Sequence, residues 1–141
     1  MGAPSGRTAA IALLLFAAAC AVAPYDPYPV TVKGEMPADA FERCRAVFAA
    51  RHLSLVEVDE AAFRLQTGWD ALQVADAAVQ QRVSLFRHDD GLGLVVEVRH
   101  LREGWFGALP SWSAPCADQQ LERELGQVLA AALSPPPVDG R

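Results

Sequence analysis

The side chains here that could carry covalent or metal chemistry are cysteines, histidines and two closely spaced serines. A zinc site needs several Cys or His ligands at short spacing, and neither Cys44 nor Cys116 has one beside it. A catalytic cysteine needs a base within reach, and the sequence places none there. Ser111 and Ser113 lack the glycines of a nucleophile elbow. The histidines are His52, His88 and His100. The sequence therefore indicates no catalytic residue, no metal site and no cofactor.

Cys20 differs because of the residues that precede it. Thr8 to Ala23 is a run of sixteen uncharged residues after Arg7. This length suits the core of a signal peptide and is shorter than the roughly 20 residues of a membrane-spanning helix. Ala18-Ala19-Cys20 resembles the lipobox of bacterial lipoproteins, which implies cleavage before Cys20 and acylation of its thiol. An ordinary cleaved signal and a single-pass anchor are the alternatives.

The same resemblance implies a location. In Gram-negative lipoproteins, Asp directly after the acylated cysteine favours the inner membrane, whereas this chain has Ala21 there. We therefore expect a cell-envelope protein, anchored through a lipid on Cys20 and facing the periplasm from the outer membrane.

Length and charge limit what the mature chain can be. Removing residues 1–19 leaves 122 residues with 17 acidic and 11 basic side chains, because Arg7 is the only charged residue lost, so the net charge is −6. The basic residues are scattered, which argues against nucleic acid as a partner. We predict a signal peptide at 1–19, a lipidated cysteine and Pro-rich tether at 20–37, one domain at 38–133 and a disordered tail at 134–141.

Local patterns predict the first half of the domain. Asp39 with Glu42 forms a capping-box pattern, which predicts a helix ending near His52. Leu53 to Asp59 predicts a strand. Phe63, Leu65, Thr67 and Trp69 alternate with polar residues, which predicts a second strand with Trp69 on its core side. Residues 71–77 are expected to form a loop or short helical turn.

The second half is predicted to be a hairpin and a helix. Gln80 to His88 and Leu92 to Arg102 flank Asp89-Asp90-Gly91, where Asp-Gly would supply the positive φ of a hairpin turn. Ser113 and Pro115 are expected to begin the last helix. The order α-β-β-β-β-α predicts an α+β fold, a two-layer sandwich whose four-stranded antiparallel sheet is covered on one face by two helices.

This pattern resembles the small domains of outer-membrane assembly lipoproteins of the BamC type. The residues that carry the resemblance are Leu65-Gln66-Thr67-Gly68-Trp69-Asp70 and Gln81-Arg82-Val83, between Asp39 and Leu133. It implies a non-enzymatic envelope protein that works through binding surfaces.

Cys44 and Cys116 form an even pair once Cys20 is lipidated. In an oxidising compartment such a pair favours a disulfide, with two buried thiols as the alternative. We expect both cysteines in the helical layer, where a bond between them would stabilise the fold by roughly 4 kcal/mol.

Two surfaces are candidates for binding. Alternation places polar side chains on the sheet face opposite the helices, where the arginines could bind an anionic partner or simply be solvated. These side chains are Arg64, Gln66, Arg82, Ser84, Glu97 and Arg99. The segment from Gly104 to Trp112 carries Trp105, Phe106 and Trp112, which could meet a membrane or a protein, or could cap the core.

The preferred hypothesis is a membrane-anchored, non-enzymatic binding or assembly module with an envelope protein partner. The alternative is a carrier of lipid or another hydrophobic ligand, which predicts a cavity lined by Trp69, Leu85 and Val96. A hydrolase would need a cleft that joins His88 or His100 to a serine or a carboxylate.

Overall fold

The structure is a computed structural model that describes residues 26–74 and 77–135. Cys20, the signal segment and most of the predicted tail lie outside the described residues. In chain order the elements are β1 (Tyr28–Val30), α1 (Ala40–Ala50), β2 (Leu55–Asp59), β3 (Arg64–Thr67), β4 (Asp70–Val74), β5 (Ala77–His88), β6 (Gly91–Arg102), β7 (Ser111–Trp112), β8 (Cys116–Ala117) and α2 (Gln119–Leu133).

The sheet is antiparallel and is built on the long β5–β6 hairpin. Its order is β1-β6-β5-β3-β2, while β4 pairs with β5, and β7 and β8 pair with β6. The α+β class is therefore as predicted, but the four-stranded sheet is wrong, because the described residues form eight strands. Residues 71–77, expected as a loop or helical turn, contain most of β4 and the start of β5.

The core lies between the two helices and one face of the sheet. Phe48 of α1 and Leu129 of α2 are fully buried in the same cluster as Leu65, Leu85 and Leu94 from three neighbouring strands. Since successive strand residues point to opposite faces, the residues next to each of these leucines in its strand lie on the other face. Both helices thus cover one face, and we call the other the open face.

The turn of the long hairpin differs from its sequence prediction. His88 pairs directly with Gly91, so the turn consists of Asp89 and Asp90. The positive φ falls on Asp89, at 50°, rather than on Gly91. Asp tolerates this conformation better than most residues, which explains how the turn forms without glycine there.

Helix α1 starts where predicted but is not capped as predicted. Asp39 occupies the N-cap position without a side-chain capping bond. Its carboxylate instead lies 2.8 Å from Nε of Arg43, one helical turn later. The hydrogen bond from Arg43 lowers the pKa of Asp39. The helix ends at Ala50, close to the expected His52.

Helix α2 begins later than predicted. Ser113 and Pro115 do not start it; the carboxylate of Asp118 does, by accepting a hydrogen bond of 3.1 Å from the backbone N–H of Leu121. Ser113 instead extends the pairing of β7, since its N–H donates to the carbonyl of His100 at 2.7 Å. Residues 111–117 therefore belong partly to the sheet.

Strand β1 lies inside the segment predicted to be a tether. Pro29 is tolerated there because β1 is an edge strand and needs donors on one side only. The ring of Tyr28 packs against Gly126 of α2 so closely that a Cβ at Gly126 would overlap it. Residues 28–30 of the predicted tether therefore belong to the sheet.

A buried carboxylate fills the gap between β1 and β8 along the edge of β6. Glu122 accepts a hydrogen bond of 3.1 Å from the N–H of Val96, and the carbonyl of Val96 accepts one of 2.8 Å from the N–H of Asp118. Burial raises the pKa of Glu122; the bond from Val96 opposes this and the charge of Asp118 adds to it. Helix α2 thus completes the hydrogen bonding of the sheet.

Candidate binding surfaces

The predicted arginines lie on the open face, but they do not form one cationic patch. Arg82 is neutralised by Glu97, with Nη2 and Oε2 2.8 Å apart. Arg64 pairs with Glu57 of the edge strand at 3.2 Å. Because Gln66 is paired with Ser84 in the sheet, Arg64 lies nearer the His88 end of β5, away from Arg99. Alternation located the face correctly but did not show which charges are paired.

Arg99 occupies a position between two indole rings. Its guanidinium carbon lies 4.1 Å from the centroid of Trp69 and 4.8 Å from that of Trp112. Nε and Nη2 donate to Oε1 of Gln80 at 2.8 and 2.6 Å. Arg82 also lies over Trp69, at 4.5 Å. We call these residues, Trp69, Gln80, Arg82, Arg99 and Trp112, the indole–guanidinium stack.

The position of Trp69 corrects a sequence expectation. Trp69 was expected on the core side, in line with Leu65 and Thr67. Strand β3 ends at Thr67, and Gly68 and Trp69 connect it to β4, so the alternation stops before Trp69. The ring therefore meets two arginines of the open face. The glycine inside the alternating run was the available signal for this break.

Residues 103–110 join β6 to β7 and form a projecting hairpin tip. Every residue from 101 to 112 is exposed, including Trp105 at 81 %, Leu109 at 87 % and Phe106 completely. The tip does not cap the core, which excludes one of the two predicted roles of its aromatic residues. At its base, Leu101 pairs with Trp112 in the sheet.

The tip is closed by a tight turn. The N–H of Ala108 donates to the carbonyl of Trp105 at 3.0 Å, and the two residues between them have positive φ, 52° at Phe106 and 78° at Gly107. Two positive φ angles match the twist of hairpin strands. Glycine adopts this conformation easily, whereas an exposed phenylalanine does so at a cost.

Trp69, Leu85 and Val96 do not line a common cavity. Leu85 and Val96 are fully buried in the packed core, and Trp69 lies on the open face. A cleft of about 440 Å³ lies elsewhere, between the start of α1 and the β5–β6 turn. Phe41 and Phe63 meet edge to face there, 5.2 Å apart, beside Arg87. Around this apolar floor the charged lining residues are Glu60, Arg87, Asp89 and Asp90.

The histidines do not assemble with a serine into a catalytic group in the described contacts. Nε2 of His88 lies 3.4 Å from the carboxylate of its neighbour Asp89, which is largely exposed in the hairpin turn. Ser113 does meet His100, but its hydroxyl accepts from the backbone N–H at 2.9 Å rather than from the imidazole. The first contact belongs to the β5–β6 turn, and the second extends the pairing of β6 with β7.

No disulfide joins Cys44 to Cys116 in the described structure. Cys44 is buried on the inner side of α1, as expected. Cys116 lies in β8 opposite Val98, because α2 starts after it, so it belongs to the sheet rather than to the helical layer. Burial raises the pKa of the Cys44 thiol to about 12. That thiol is protonated at neutral pH and is a poor nucleophile.

Residues 26–74 and 77–135 contain neither a membrane-spanning helix nor a metal-binding cluster. Neither helix there is long and apolar enough to cross a bilayer. Within the same ranges no three Cys, His, Asp or Glu side chains are grouped so that they could hold a metal ion. The surfaces that remain for function are the indole–guanidinium stack, the hairpin tip and the cleft beside α1.

Comparisons with known proteins add no family. No protein-family model matches the chain, and no curated protein matches its sequence.

Proposed function

We propose that this chain is a lipid-anchored protein of the bacterial cell envelope, acylated on Cys20 and held at the outer membrane facing the periplasm. It acts as a non-enzymatic binding or assembly module whose partner is an envelope protein. The observation that carries the binding role is the indole–guanidinium stack on the open face. The anchoring role is supported by the sequence around Cys20.

The stack has the composition of a binding hot spot. Trp and Arg are the residues that most often dominate interface energies. Among the described residues, both hydrogen bonds of Arg99 go to Gln80, and the ion pairs do not include it. Arg82, by contrast, is already paired with Glu97. Arg99 is thus the guanidinium that can meet a carboxylate or carbonyl of a partner.

The stack is also held in place before a partner arrives. Two rings and one amide fix the Arg99 side chain, so less conformational entropy is lost on binding. Trp112 comes from the β6–β7 hairpin and Trp69 from the β3–β4 connection, so Arg99 ties two parts of the sheet together. A preorganised surface of this kind suits protein recognition better than turnover.

In-cell photo-crosslinking tests the binding role. A photoreactive phenylalanine at Trp112 or Gln66 should form a discrete adduct with one envelope protein, because both positions lie on the open face. The matched control is the same amino acid at Glu124, which is exposed on α2. Recovery of free monomer alone from both open-face positions, or the same adduct from Glu124, would contradict this surface.

Metabolic labelling with a fatty acid tests the anchor. Cys20→Ala should lose the label and accumulate as uncut precursor. Cys116→Ala is the control, because it also removes one thiol but should keep the label. A Cys20→Ala variant that keeps the label would show that acylation occurs at another residue.

A further inference from the structure

We propose that the hairpin tip is a second membrane contact, which places Trp105, Phe106 and Leu109 in the headgroup region of a phospholipid bilayer. The inference rests on the proposed function, because the bilayer concerned is the one that holds the lipid on Cys20. It assigns the tip to lipid and leaves the indole–guanidinium stack for a protein partner.

The direction of β1 places the start of the domain towards the tip. Strand β1 runs antiparallel to β6, with Val30 opposite Leu92 and Tyr28 opposite Leu94. The residues before Tyr28 therefore lie towards the higher-numbered end of β6, which leads into the tip. Asp26 lies there beside the first turn of α2, in a cleft that includes Gln119 and Arg123.

The residues between Cys20 and the domain are long enough for the lipid and the hairpin tip to lie at the same membrane surface. From Val96, which bonds the start of α2, to Arg102 at the base of the tip is a strand segment of roughly 20 Å. The six residues from Cys20 to Asp26 reach at most about 20 Å when extended. The lipid-bearing sulfur can thus reach the level of Arg102, at the base of the tip, whereas a tip at the opposite end of the sheet would be out of reach.

The chemistry of the tip suits a lipid interface. The indole of Trp105 combines an apolar ring with one N–H donor, the combination enriched at membrane surfaces. Phe106 and Leu109 supply apolar area, and the Trp105 and Phe106 rings lie 6.4 Å apart. Arg102 and Glu103 at the base are exposed residues of opposite formal charge.

The shape of the tip favours a bilayer over a protein groove. All residues from 101 to 112 are exposed, so no part of the described chain packs around the three apolar side chains. A protein would have to provide a groove that fits a strained, protruding phenylalanine. A fluid bilayer needs no matching surface to accept such a tip. Amphipathic segments bury their apolar side chains about 5–10 Å deep in a bilayer in the same way.

Quenching of tryptophan by brominated lipid tests the inference. The acylated full-length mature chain, purified from membranes, is reconstituted into phosphatidylethanolamine and phosphatidylglycerol vesicles that contain brominated acyl chains. Emission should be quenched in the wild type, and Trp105→Phe should lose most of that quenching, because Trp69 and Trp112 lie behind the tip. Val56→Ser is the control, since it removes an exposed apolar side chain, 71 % accessible, from the far edge of the sheet and should leave quenching unchanged.

The outcomes separate this inference from the proposed function. Acylated protein on vesicles whose quenching is the same with and without Trp105 overturns the membrane contact and leaves the lipid anchor standing. Quenching of Trp105 in a chain without acyl mass on Cys20 supports the contact and removes the anchor. A photoreactive residue at position 106 should attach to phospholipid in cells; attachment to a single envelope protein would also overturn the inference.

Discussion

The two faces of the sheet hold their side chains in different ways. On the helix-covered face, Leu65, Leu85 and Leu94 are fully buried against both helices. On the open face, Arg82 and Arg99 are held by single polar partners and by the ring of Trp69. Removal of buried apolar area costs much more than loss of a partly solvated polar contact. Stability and binding should therefore be separable by mutation, face by face.

The largest effect is expected at the centre of the covered face. Leu129→Ala removes a fully buried side chain of α2 and should lower the free energy of unfolding by about 2–5 kcal/mol, measured by denaturant titration. Leu109→Ala removes the same atoms from the exposed hairpin tip and should change it by less than about 0.5 kcal/mol. Equal losses in the two variants would break the contrast between core and surface.

The contact between β1 and α2 gives the next effect. Gly126→Ala would overlap the Tyr28 ring and should destabilise by about 1–3 kcal/mol, more than the gain of about 1 kcal/mol in helix propensity. In a Tyr28→Ala background the overlap disappears, so the same substitution should stabilise. An identical effect in both backgrounds would mean that Tyr28 is not what occupies this space.

On the open face, Arg99→Ala should cost about 1–2 kcal/mol, because it removes contacts with two indole rings. The matched variant Arg64→Ala loses only an exposed ion pair with Glu57 and should lie within about 0.5 kcal/mol of the wild type. Thermal unfolding of the two variants side by side gives the comparison. If Arg64→Ala proved the more harmful, the stack would not be the stabilising unit of this face.

The smallest effect is a pH dependence from Glu122. Its pKa is raised in the folded chain, so its contribution to the free energy of unfolding is fully present below the unfolded pKa and is lost as pH rises through the folded pKa. Relative to Glu122→Gln, the wild type should thus lose stability as pH rises above about 4.5. The amide of Gln can still accept from the N–H of Val96.

Stability curves at several pH values measure this difference. Glu124→Gln, an exposed position on the same helix, should run parallel to the wild type. Asp39 cannot imitate the effect, because its lowered pKa gives stability that is lost as pH falls. Parallel curves for wild type and Glu122→Gln would show that burial does not raise the pKa of the Glu122 carboxyl.

The sequence predicted those elements whose pattern is local and long. The β5–β6 hairpin and α1 were located to within three residues at each end, with β5 starting at Ala77 rather than Gln80, because periodicity over about ten residues is a strong signal. The polar residues of the open face followed from the same alternation. Arg82 and Arg99 lie on the expected sheet face, whereas Trp112, predicted as part of a separate surface, contacts Arg99 there. A partner at this face stays a prediction.

The missed elements are short strands that exist only because β6 or β5 pairs with them. Strands β1, β7 and β8 have two or three residues each, too few for any period, and Pro29 argues locally against a strand. Their pairing comes from long-range hydrogen bonds to β6, which no window of sequence contains. The expected place of Cys116 in the helical layer was wrong for the same reason, since Cys116 lies in β8 and pairs with β6.

The buried thiol of Cys44 can report how often the domain opens. A reagent cannot reach its sulfur in the closed fold, and its pKa of about 12 suppresses the reactive thiolate. Modification must therefore wait until α1 separates from the sheet, so the rate at which Cys44 is alkylated in native buffer follows how often the domain opens. The same residue would record whether attachment to a membrane or a partner makes those openings rarer.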